Sequence, residues 1–364
     1  MKLGRRGFVA SLLAGVSVSR APAATAGKLG IPGPYRGRVV AVEHPGSIVS
    51  GQYQAAAVRQ MMDQGMTQLT GAPTATEAWR AFFEPGEVVG IKVNPVGQPY
   101  LISAPEVLRT IIDGLKSAGI KAPDMVVYDR YRREFLSAGF DKWLPEGVRW
   151  TFATEVSQEY QLDMDGYDAD HYMEMALVSS RGDPQDRHQR RSYVAKFLTQ
   201  QIDKLVNLCV LKHHQSAGVT LALKNLSHGL VNNVSRSHIS RSLNVCGAFI
   251  PAVVEVPIIR RKVVLNILDG IQGAYHGGPG RKVGKYLWDH KTMYFSTDPV
   301  AMDKVCWQVI DEQRGRMGML PVADGKPDDD SVFVSMQPEH IELAGVLGLG
   351  EYHDDKIDLK KIKI

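Results

Sequence analysis

The sequence is poor in cysteine. Its 364 residues include only Cys209, Cys246 and Cys306, and no C-x-x-C pair occurs. A disulfide framework needs an even set of thiols, and an iron–sulfur cluster needs several closely spaced ones. Because the chain has neither pattern, we predict no iron–sulfur cluster. We predict instead three buried thiols that pack as small hydrophobic side chains.

Long hydrophobic runs are also missing. No segment of 18 or more apolar residues occurs, so we predict no stable membrane insertion. Near the N-terminus, the pair Arg5-Arg6 precedes the short and mildly apolar stretch Ala10–Val18. This order resembles a twin-arginine export signal.

Small residues close that N-terminal segment at Ala21–Ala23 and again at Ala24–Ala26. We predict a signal peptide over residues 1–26, with cleavage after Ala23 or Ala26 and the twin-arginine translocase as partner during export. The mature protein is then periplasmic or otherwise exported. A disordered basic tail is the alternative interpretation of the same residues.

The remainder of the chain has no excess of charge of either sign. The whole sequence has 43 basic and 39 acidic side chains, and four of the basic ones, with no acidic one, lie in residues 1–26. The rest therefore carries equal numbers of each. This balance gives no support to nucleic acid or an anionic membrane as a partner.

What the chain does have is an alternation of apolar strand-like runs with amphipathic helices. The predicted strands are 38–42, 88–93, 125–128, 148–152, 206–211, 262–268, 292–295 and 357–364, and the predicted helices are 55–69, 74–83, 103–118, 131–138, 298–313 and 339–347. Nearly continuous apolar strands indicate a mostly parallel sheet with helices on both faces. We predict a single α/β domain over residues 27–364, built as one large unit or two intimate lobes.

One segment interrupts the alternation. Residues 157–191 are polar, and we interpret them as an insertion that forms a lobe or a lid. Within it, the spacing of Asp163, Asp165, Asp168 and Asp170 is only loosely similar to a calcium-binding loop, because the glycine is misplaced and no glutamate closes the loop. A solvated loop is the simpler interpretation.

The stretch Val206–Leu230 is the most informative part of the chain. An apolar run ends at Lys212-His213-His214, and a second apolar segment carries Lys224, Asn225 and His228. Burying so many ionisable groups without partners costs several kcal/mol each. These residues therefore line a wet cleft, or they bind an anion or a metal.

Four predicted strands end in polar residues, and in a parallel sheet these ends share one edge, where open α/β sheets bind ligands. The residues are Lys92 and Asn94, Asp129, Lys212 to His214, and Asp269. Three lysines at this edge, Lys92, Lys212 and Lys224, favour an anionic ligand and lower one another's pKa. The alternative is a set of separate surface lysines.

A metal site is a weaker prediction. We name Asp269, His228 and His276 as candidate ligands of a divalent ion, although no H-E-x-x-H or similar spacing is present. The glycine-rich loop around Gly278 is not a Walker loop. It is either an anion-binding loop that presents backbone N–H groups or a plain turn.

Several segments together carry a family resemblance. They are Val89–Asn94, Leu211–His214, Val219–Asn225, Leu265–Gly270 and Ser296–Asp303. In this order they resemble the family called domain of unknown function 362, which commonly has Lys-Thr-His at the position of Lys212-His213-His214. Some members carry ferredoxin-type cysteine clusters, which this chain lacks. The resemblance implies a site at these segments but no particular reaction.

These observations lead to one main hypothesis and two alternatives. The main hypothesis is an exported enzyme that acts on a small carboxylate or phosphate, with or without a metal or another cofactor. Its catalytic residues are Lys212, His214 and Lys224, and its substrate-binding residues are Lys92, Asn94, Asn225 and Gly278, with Asp129 as an orienting group. The alternatives are a non-catalytic metal- or cofactor-binding or maturation protein for a periplasmic redox system, and a structural scaffold.

Overall fold

The computed structural model describes residues 16–18, 29–157 and 161–364. The predicted signal peptide, residues 1–26, therefore lies outside the described residues except for Val16–Val18. In the described segments, no helix has both the length and the apolar character needed to cross a bilayer.

The order of elements follows the predicted alternation. In the described part of the chain the strands are β1 (Val16–Val18), β2 (Arg38–Glu43), β3 (Ile48–Val49), β4 (Gln52–Tyr53), β5 (Val89–Lys92), β6 (Met125–Tyr128), β7 (Arg149–Thr151), β8 (Tyr167–Met175), β9 (Arg191–Ala195), β10 (Lys204–His214), β11 (Gly218–Val219), β12 (Val263–Ala274), β13 (Leu287–Ser296) and β14 (Asp358–Lys363). The α-helices are α1 (Ala55–Thr70), α2 (Ala75–Arg80), α3 (Pro105–Ala118), α4 (Arg132–Ser137), α5 (Phe140–Trp143), α6 (Leu221–Leu230), α7 (Cys246–Val254), α8 (Pro257–Lys262), α9 (Pro299–Arg316) and α10 (His340–Val346). Short 3-10 turns add Ala122–Asp124, Ser235–Ser237, Arg281–Lys285, Val322–Asp324 and Asp354–Lys356, and Phe197–Gln201 is a π turn.

The central sheet has the strand order β14-β2-β13-β12-β10-β5-β6-β7, and β11 pairs with β10. Neighbours along this path are parallel except where β13 pairs with β2 and with β12. The sheet is therefore mixed but mostly parallel. The predicted α/β class is confirmed.

Strand β10 is covered on both of its faces. Leu205 and Leu211 belong to an apolar cluster with residues of α6, α7, α9 and α10. Val206 and Leu208 belong to a second cluster with residues of α1 and α3. This alternation places helices on both faces of the sheet, and it explains why the run from 205 to 211 is apolar, apart from Asn207, without a period of two.

The parallel neighbours β12, β10, β5 and β6 bring their carboxyl ends to one edge. Lys92, the last residue of β5, lies opposite Asn207 of β10 and Tyr128 of β6. Strand β10 continues past the predicted end at Leu211, because β11 pairs with His213 and His214. Backbone pairing thus holds the polar end of β10 in a fixed position.

The predicted insertion, residues 157–191, overlaps a separate antiparallel sheet. In this sheet β8 pairs with β9 on one side and with β1 on the other. The buried Arg236 donates hydrogen bonds to the backbone oxygens of Met175, the last residue of β8, and Leu177, just after it, at 3.1 and 3.0 Å. Five donors on one rigid guanidinium suit several carbonyls at once, so this arginine fixes the small sheet to the chain segment that follows α6.

Candidate functional site: a cationic cavity at the sheet edge

A polar cavity of about 380 Å³ lies at the carboxyl ends of β5, β6 and β10. Its basic lining residues are Lys92, Arg130, Lys212 and Lys224. Its acidic lining residues are Asp129 and Glu134, and its histidines are His214, His228 and His238. Among the described residues the basic groups thus outnumber the acidic ones, and low-dielectric walls strengthen the field that this excess creates.

Lys92, in the cavity wall, forms an ion pair with Asp129. Its Nζ lies 2.6 Å from Asp129 Oδ1 and also donates to Val93 O at 2.5 Å and Asn225 Oδ1 at 3.3 Å. An ammonium has three hydrogens, so these contacts use all of them. Lys92, predicted from the sequence as a substrate-binding residue, is held as part of the wall.

A row of asparagine side chains connects the cavity with the interior of the sheet. Lys212 Nζ donates to Asn94 Oδ1 at 2.8 Å, and Asn94 Nδ2 donates to Asn225 Oδ1 at 3.0 Å. Asn225 Nδ2 donates to Asn207 Oδ1 at 2.7 Å, and Asn207 Nδ2 donates to Asn266 Oδ1 at 2.9 Å. Each amide oxygen therefore faces the lysine end of the row. The predicted residues Asn94 and Asn225 are brought together here and orient the lysines.

Lys212 lies at the start of this row and is fully buried. Besides Asn94 it donates a hydrogen bond to the backbone oxygen of Val96. Burial, reinforced by the nearby Lys224 ammonium, lowers the pKa of Lys212 to about 7. This lysine therefore changes its charge near neutral pH, as a general acid or base must.

Lys224 differs from Lys212 because its ammonium has no hydrogen bond or ion pair among the described residues. It lies on α6, lines the cavity, and is only 8% exposed. Burial lowers the pKa of Lys224 to about 8. A buried ammonium without a counter-charge is strongly unfavourable, so this position is suited to an anion that enters the cavity.

His214 presents a hydrogen-bond donor to the cavity. The backbone N–H groups of Ser216 and Ala217 both donate to its Nδ1 at 3.2 Å. Two donors at Nδ1 leave the ring hydrogen on Nε2. Burial, together with Lys224, lowers the pKa of His214 well below its usual value, so the ring is neutral at physiological pH. Its Nε2–H group suits anion binding better than proton abstraction.

Among the cavity residues that the sequence interpretation missed are two charged ones, Arg130 and Glu134. Arg130 follows Asp129 directly, donates to Val231 O at 3.1 Å, and stacks over the ring of Tyr131 at 4.1 Å. Glu134 lies on α4, and its Oε2 atom is buried without a hydrogen-bond partner among the described residues. Burial raises the pKa of Glu134, with a contribution from Asp129. In this cavity, burial therefore favours the neutral form of a carboxyl group, Glu134, and the neutral form of a lysine, Lys212.

A cluster of histidines and a thiol forms another part of the wall. One ring nitrogen each of His228 and His238 and the Sγ of Cys246 lie within 4.8 Å of one another. Within the described residues, this is the group of His, Cys, Asp and Glu side chains whose ligand atoms converge. His228 was a predicted metal ligand. His238 and Cys246 were not predicted, because ten and eight residues separate the members along the chain.

The other two predicted metal ligands lie elsewhere. Asp269 accepts hydrogen bonds from Ala104 N and Tyr53 Oη, both at 3.1 Å, and from Ile271 N at 3.2 Å. His276 lies 2.9 Å from Asp328 Oδ2 and accepts from Arg314 Nη1 at 3.1 Å. Asp269 and His276 are not among the residues that line the cavity, and the structure does not bring them together with His228.

The glycine-rich loop approaches the end of β10 very closely. A Cβ atom at Gly278 would lie 1.8 Å from the backbone oxygen of His213. Gly278 O also accepts a hydrogen bond from Gln215 N at 3.1 Å. This contact requires a glycine for packing, whatever the ligand. The next residue, Pro279, lines the cavity.

The cysteines are free and buried, as predicted. Cys209 lies in β10 and Cys306 in α9, each within the apolar cluster that also contains Leu205. Cys246 belongs to that cluster as well, but it is the first residue of α7 and faces the two histidines. Its position in the fold therefore distinguishes Cys246 from the other two cysteines, a difference that the sequence alone does not show.

With this geometry in hand, comparison with known proteins gives one family. The sequence matches the family Domain of unknown function (DUF362) over residues 89–308, more than half of the chain. The chain belongs to this family, which confirms the resemblance of its motifs. The matched segment begins with β5, ends within α9, and contains every cavity residue described above. No curated protein matches the chain.

Proposed function

We propose that this protein is an enzyme that acts on a small carboxylate or phosphate bound in the cationic cavity. The observation that supports this most directly is Lys224, a buried ammonium that has no described partner and lines the cavity. An anion beside it would remove an unfavourable buried charge. The volume of about 380 Å³ is within the range of small-molecule pockets.

In this proposal, the groups that hold the anion are the Lys224 ammonium and the Nε2–H of His214. Charge-assisted hydrogen bonds of this kind are the stronger ones in proteins. Lys92, Asn94 and Asn225 act through the other groups as positioning residues, because their hydrogen bonds are already committed to the wall.

Proton transfer is assigned to Lys212. Its pKa of about 7 balances the two protonation states near neutral pH. Glu134, whose pKa burial raises, is a second group able to carry a proton in the same cavity. The low-dielectric environment of the cavity favours the neutral forms of both the Glu134 carboxyl group and the Lys212 amine. One group can then donate a proton while the other accepts one.

Export is a separate part of the proposal. Arg5-Arg6, the short apolar stretch after them and the small residues up to Ala26 support a twin-arginine signal and a periplasmic or otherwise exported mature protein. The translocase would carry the chain in its folded form. Fusion of residues 1–26 to a reporter, with Arg5-Arg6 replaced by Lys-Lys, tests this. Export of both fusions alike would rule out the twin-arginine route.

The binding part is tested with a panel of small carboxylates, phosphates and sulfate, monitored by calorimetry and thermal shift on the full chain. We expect at least one anion to bind wild-type protein and Lys224→Met to weaken its binding by roughly tenfold to a hundredfold, the range for hydrogen bonds to charged groups. The control is Lys304→Met, which removes a lysine ion-paired with Asp354 at 3.6 Å on α9.

Lys304→Met should bind the anion like wild type. Equal loss in both lysine variants would mean a general charge effect, and binding that is indifferent to Lys224→Met would overturn the assignment. Turnover of the bound anion by wild type, lost in Lys212→Met with binding retained, is the result expected of an enzyme.

A non-catalytic binding or maturation protein is the second candidate. It is favoured by one observation: hydrogens of Lys212 are already donated to Asn94 and Val96, which suits a fixed positive charge. In that case the anion binds tightly, Lys224→Met weakens it, and no candidate reaction of the bound compound is accelerated.

A further inference from the structure

His228, His238 and Cys246 lie where the cavity wall meets the apolar core. His228 belongs to the last turn of α6, His238 follows the 3-10 turn Ser235–Ser237, and Cys246 begins α7. His228 and His238 are partly exposed and line the cavity, whereas Cys246 is buried. The cluster is therefore closed on the thiol side and accessible on the histidine side.

The backbone holds this cluster in place. Val245 N donates to Ser237 O at 2.8 Å, and His238 forms a β-bridge with Asn244. These contacts close the loop between His238 and Cys246 and hold the backbone of both residues in place, so that only side-chain rotation is needed to change the separation of their ligand atoms. Rigid support of this kind is what a preformed ligand set needs.

The hydroxyl of Ser237 lies among the three side chains. Its Oγ is 3.0 Å from His228 Nε2, 2.6 Å from His238 Nδ1 and 3.8 Å from Cys246 Sγ. It also donates to Val234 O at 2.7 Å. One small hydroxyl thus touches every member of the cluster, at the position where a common ligand of the three would lie.

We propose that His228, His238 and Cys246 bind a zinc-class divalent ion that takes the place of the Ser237 hydroxyl. Two imidazoles and one thiolate are donors that Zn²⁺ prefers, and three protein ligands with one open position are typical of reactive zinc sites. Binding requires the Ser237 side chain to rotate away and the ligands to close in to bonding distance.

An outer contact already supports one ligand. Ser227 Oγ lies 3.0 Å from His228 Nδ1 and 3.3 Å from Lys224 O. When the ion occupies His228 Nε2, the ring hydrogen moves to Nδ1 and is donated to Ser227, which donates in turn to the backbone oxygen. Metal-bound histidines nearly always have such a partner on the other nitrogen.

The open position of the ion faces the cavity, because the histidine side of the cluster lines it. An anion held by Lys224 could then also be bound by the ion. This second statement rests on the proposed function, whereas the binding of the ion itself does not. The two are therefore tested separately.

The test uses the full chain freed of metal by a chelator and titrated with Co²⁺ and then Zn²⁺. We expect one Co²⁺ per chain with a thiolate-to-cobalt charge-transfer band, which Zn²⁺ abolishes. Cys246→Ser should remove the band. His238→Ala should weaken Co²⁺ binding by more than about a hundredfold, the upper end of what outer contacts alone cost.

Ser237→Ala separates a metal site from a hydrogen-bonded cluster. If the hydroxyl competes with the ion, this variant binds Co²⁺ severalfold more tightly than wild type. If the cluster serves only to hold the structure together, the variant loses stability and gains no affinity. Cys306→Ser, a buried thiol on α9, and His353→Ala are the matched controls and should keep the wild-type spectrum.

Saturating Co²⁺ without a thiolate band in the wild type overturns the proposal, even if a variant fails to fold. Sulfate is then added to metal-free and Zn²⁺-loaded protein. Sulfate binding without any metal binding supports the proposed function and contradicts the metal site. Metal binding without any sulfate binding supports the metal site and contradicts the proposed function. Tighter sulfate binding by the Zn²⁺ form supports both.

Discussion

The two sides of the cavity satisfy their charges in opposite ways. On the paired side, Lys92 is bound by Asp129 and Asn225, and all its hydrogens have acceptors within the protein. On the open side, the Lys224 ammonium has no hydrogen bond or ion pair among the described residues, and Glu134 keeps a buried oxygen without one. Both sides line one cavity at the same sheet edge, and both carry a lysine. Polar residues at strand ends therefore indicate where a site lies. Which of the groups are free to bind a ligand is shown only by their lack of hydrogen-bond or ion-pair partners in the structure.

The largest expected effect is on the paired side. Asp129→Asn should lower the free energy of unfolding by about 3–5 kcal/mol, because it leaves the Lys92 ammonium buried without its counter-charge. Urea denaturation at neutral pH measures this. The control is Asp113→Asn, which breaks an exposed ion pair with Arg59 and should cost less than about 1 kcal/mol. If both substitutions lowered the free energy of unfolding equally, the distinction between the paired side and the open side would be contradicted.

The same substitution on the two lysines should have opposite signs. Lys92→Met strands Asp129 and lowers stability, whereas Lys224→Met removes an unpaired buried charge. Without added anions, we expect Lys224→Met to raise the free energy of unfolding by about 1–3 kcal/mol below pH 8. The gain should appear in urea denaturation at pH 6.5.

The pH dependence of that gain follows from linkage. Lys224 has a pKa of about 8 when folded and about 10.4 when unfolded. Between these values the unfolded chain binds the extra proton, so wild-type stability rises with pH. The advantage of Lys224→Met should therefore shrink from pH 8 upward and vanish above about 10.4. A constant advantage would mean that the gain does not come from the Lys224 charge, and a loss at low pH would mean that Lys224 has a counter-charge.

The smallest effect is on the affinity for an anion whose own charge is constant, such as sulfate. Above pH 8 the free cavity holds a neutral Lys224 amine, so binding must recruit a proton. We expect sulfate affinity of the metal-free protein to decline modestly near pH 7, where Lys212 loses its charge, and to fall by up to about tenfold for each pH unit above pH 8. Lys224→Met should bind weakly at every pH. A wild-type profile that stays flat to pH 10 would assign the anion to Arg130 instead.

Much of the fold could be predicted because its signals are local. Strand β6 has the predicted bounds, Met125–Tyr128, and α1 ends at Thr70, one residue beyond the predicted 55–69, where Gly71 in the left-handed region follows it. The ends of longer strands were missed. Strand β12 continues from the predicted Leu268 to Ala274 because β13 pairs with that segment, and such pairing depends on residues far along the chain.

The candidate site could be predicted only in part. Lys212, His214 and Lys224 lie near one another in sequence, so their common location was readable. Glu134 looked like an ordinary helix residue, and α6 itself was recognised only as an apolar segment. Its N-terminus is fixed by Asp303 of α9, which accepts from the N–H groups of Ala222 and Leu223 at 2.7 and 2.8 Å. A contact across 80 residues has no local signal.

The row of asparagines has a further consequence for how the cavity handles protons. Each amide in it donates to the next, away from Lys212, and the last of them, Asn266, donates to backbone oxygens of Ser296 and Thr297 at 3.4 Å. Carboxamides polarise one another along such a row, but they neither gain nor lose a proton at ordinary pH. The row therefore transmits electric field and blocks proton conduction. Every proton that Lys212 takes up or releases has to pass through the cavity, so whatever fills the cavity also controls the timing of that exchange.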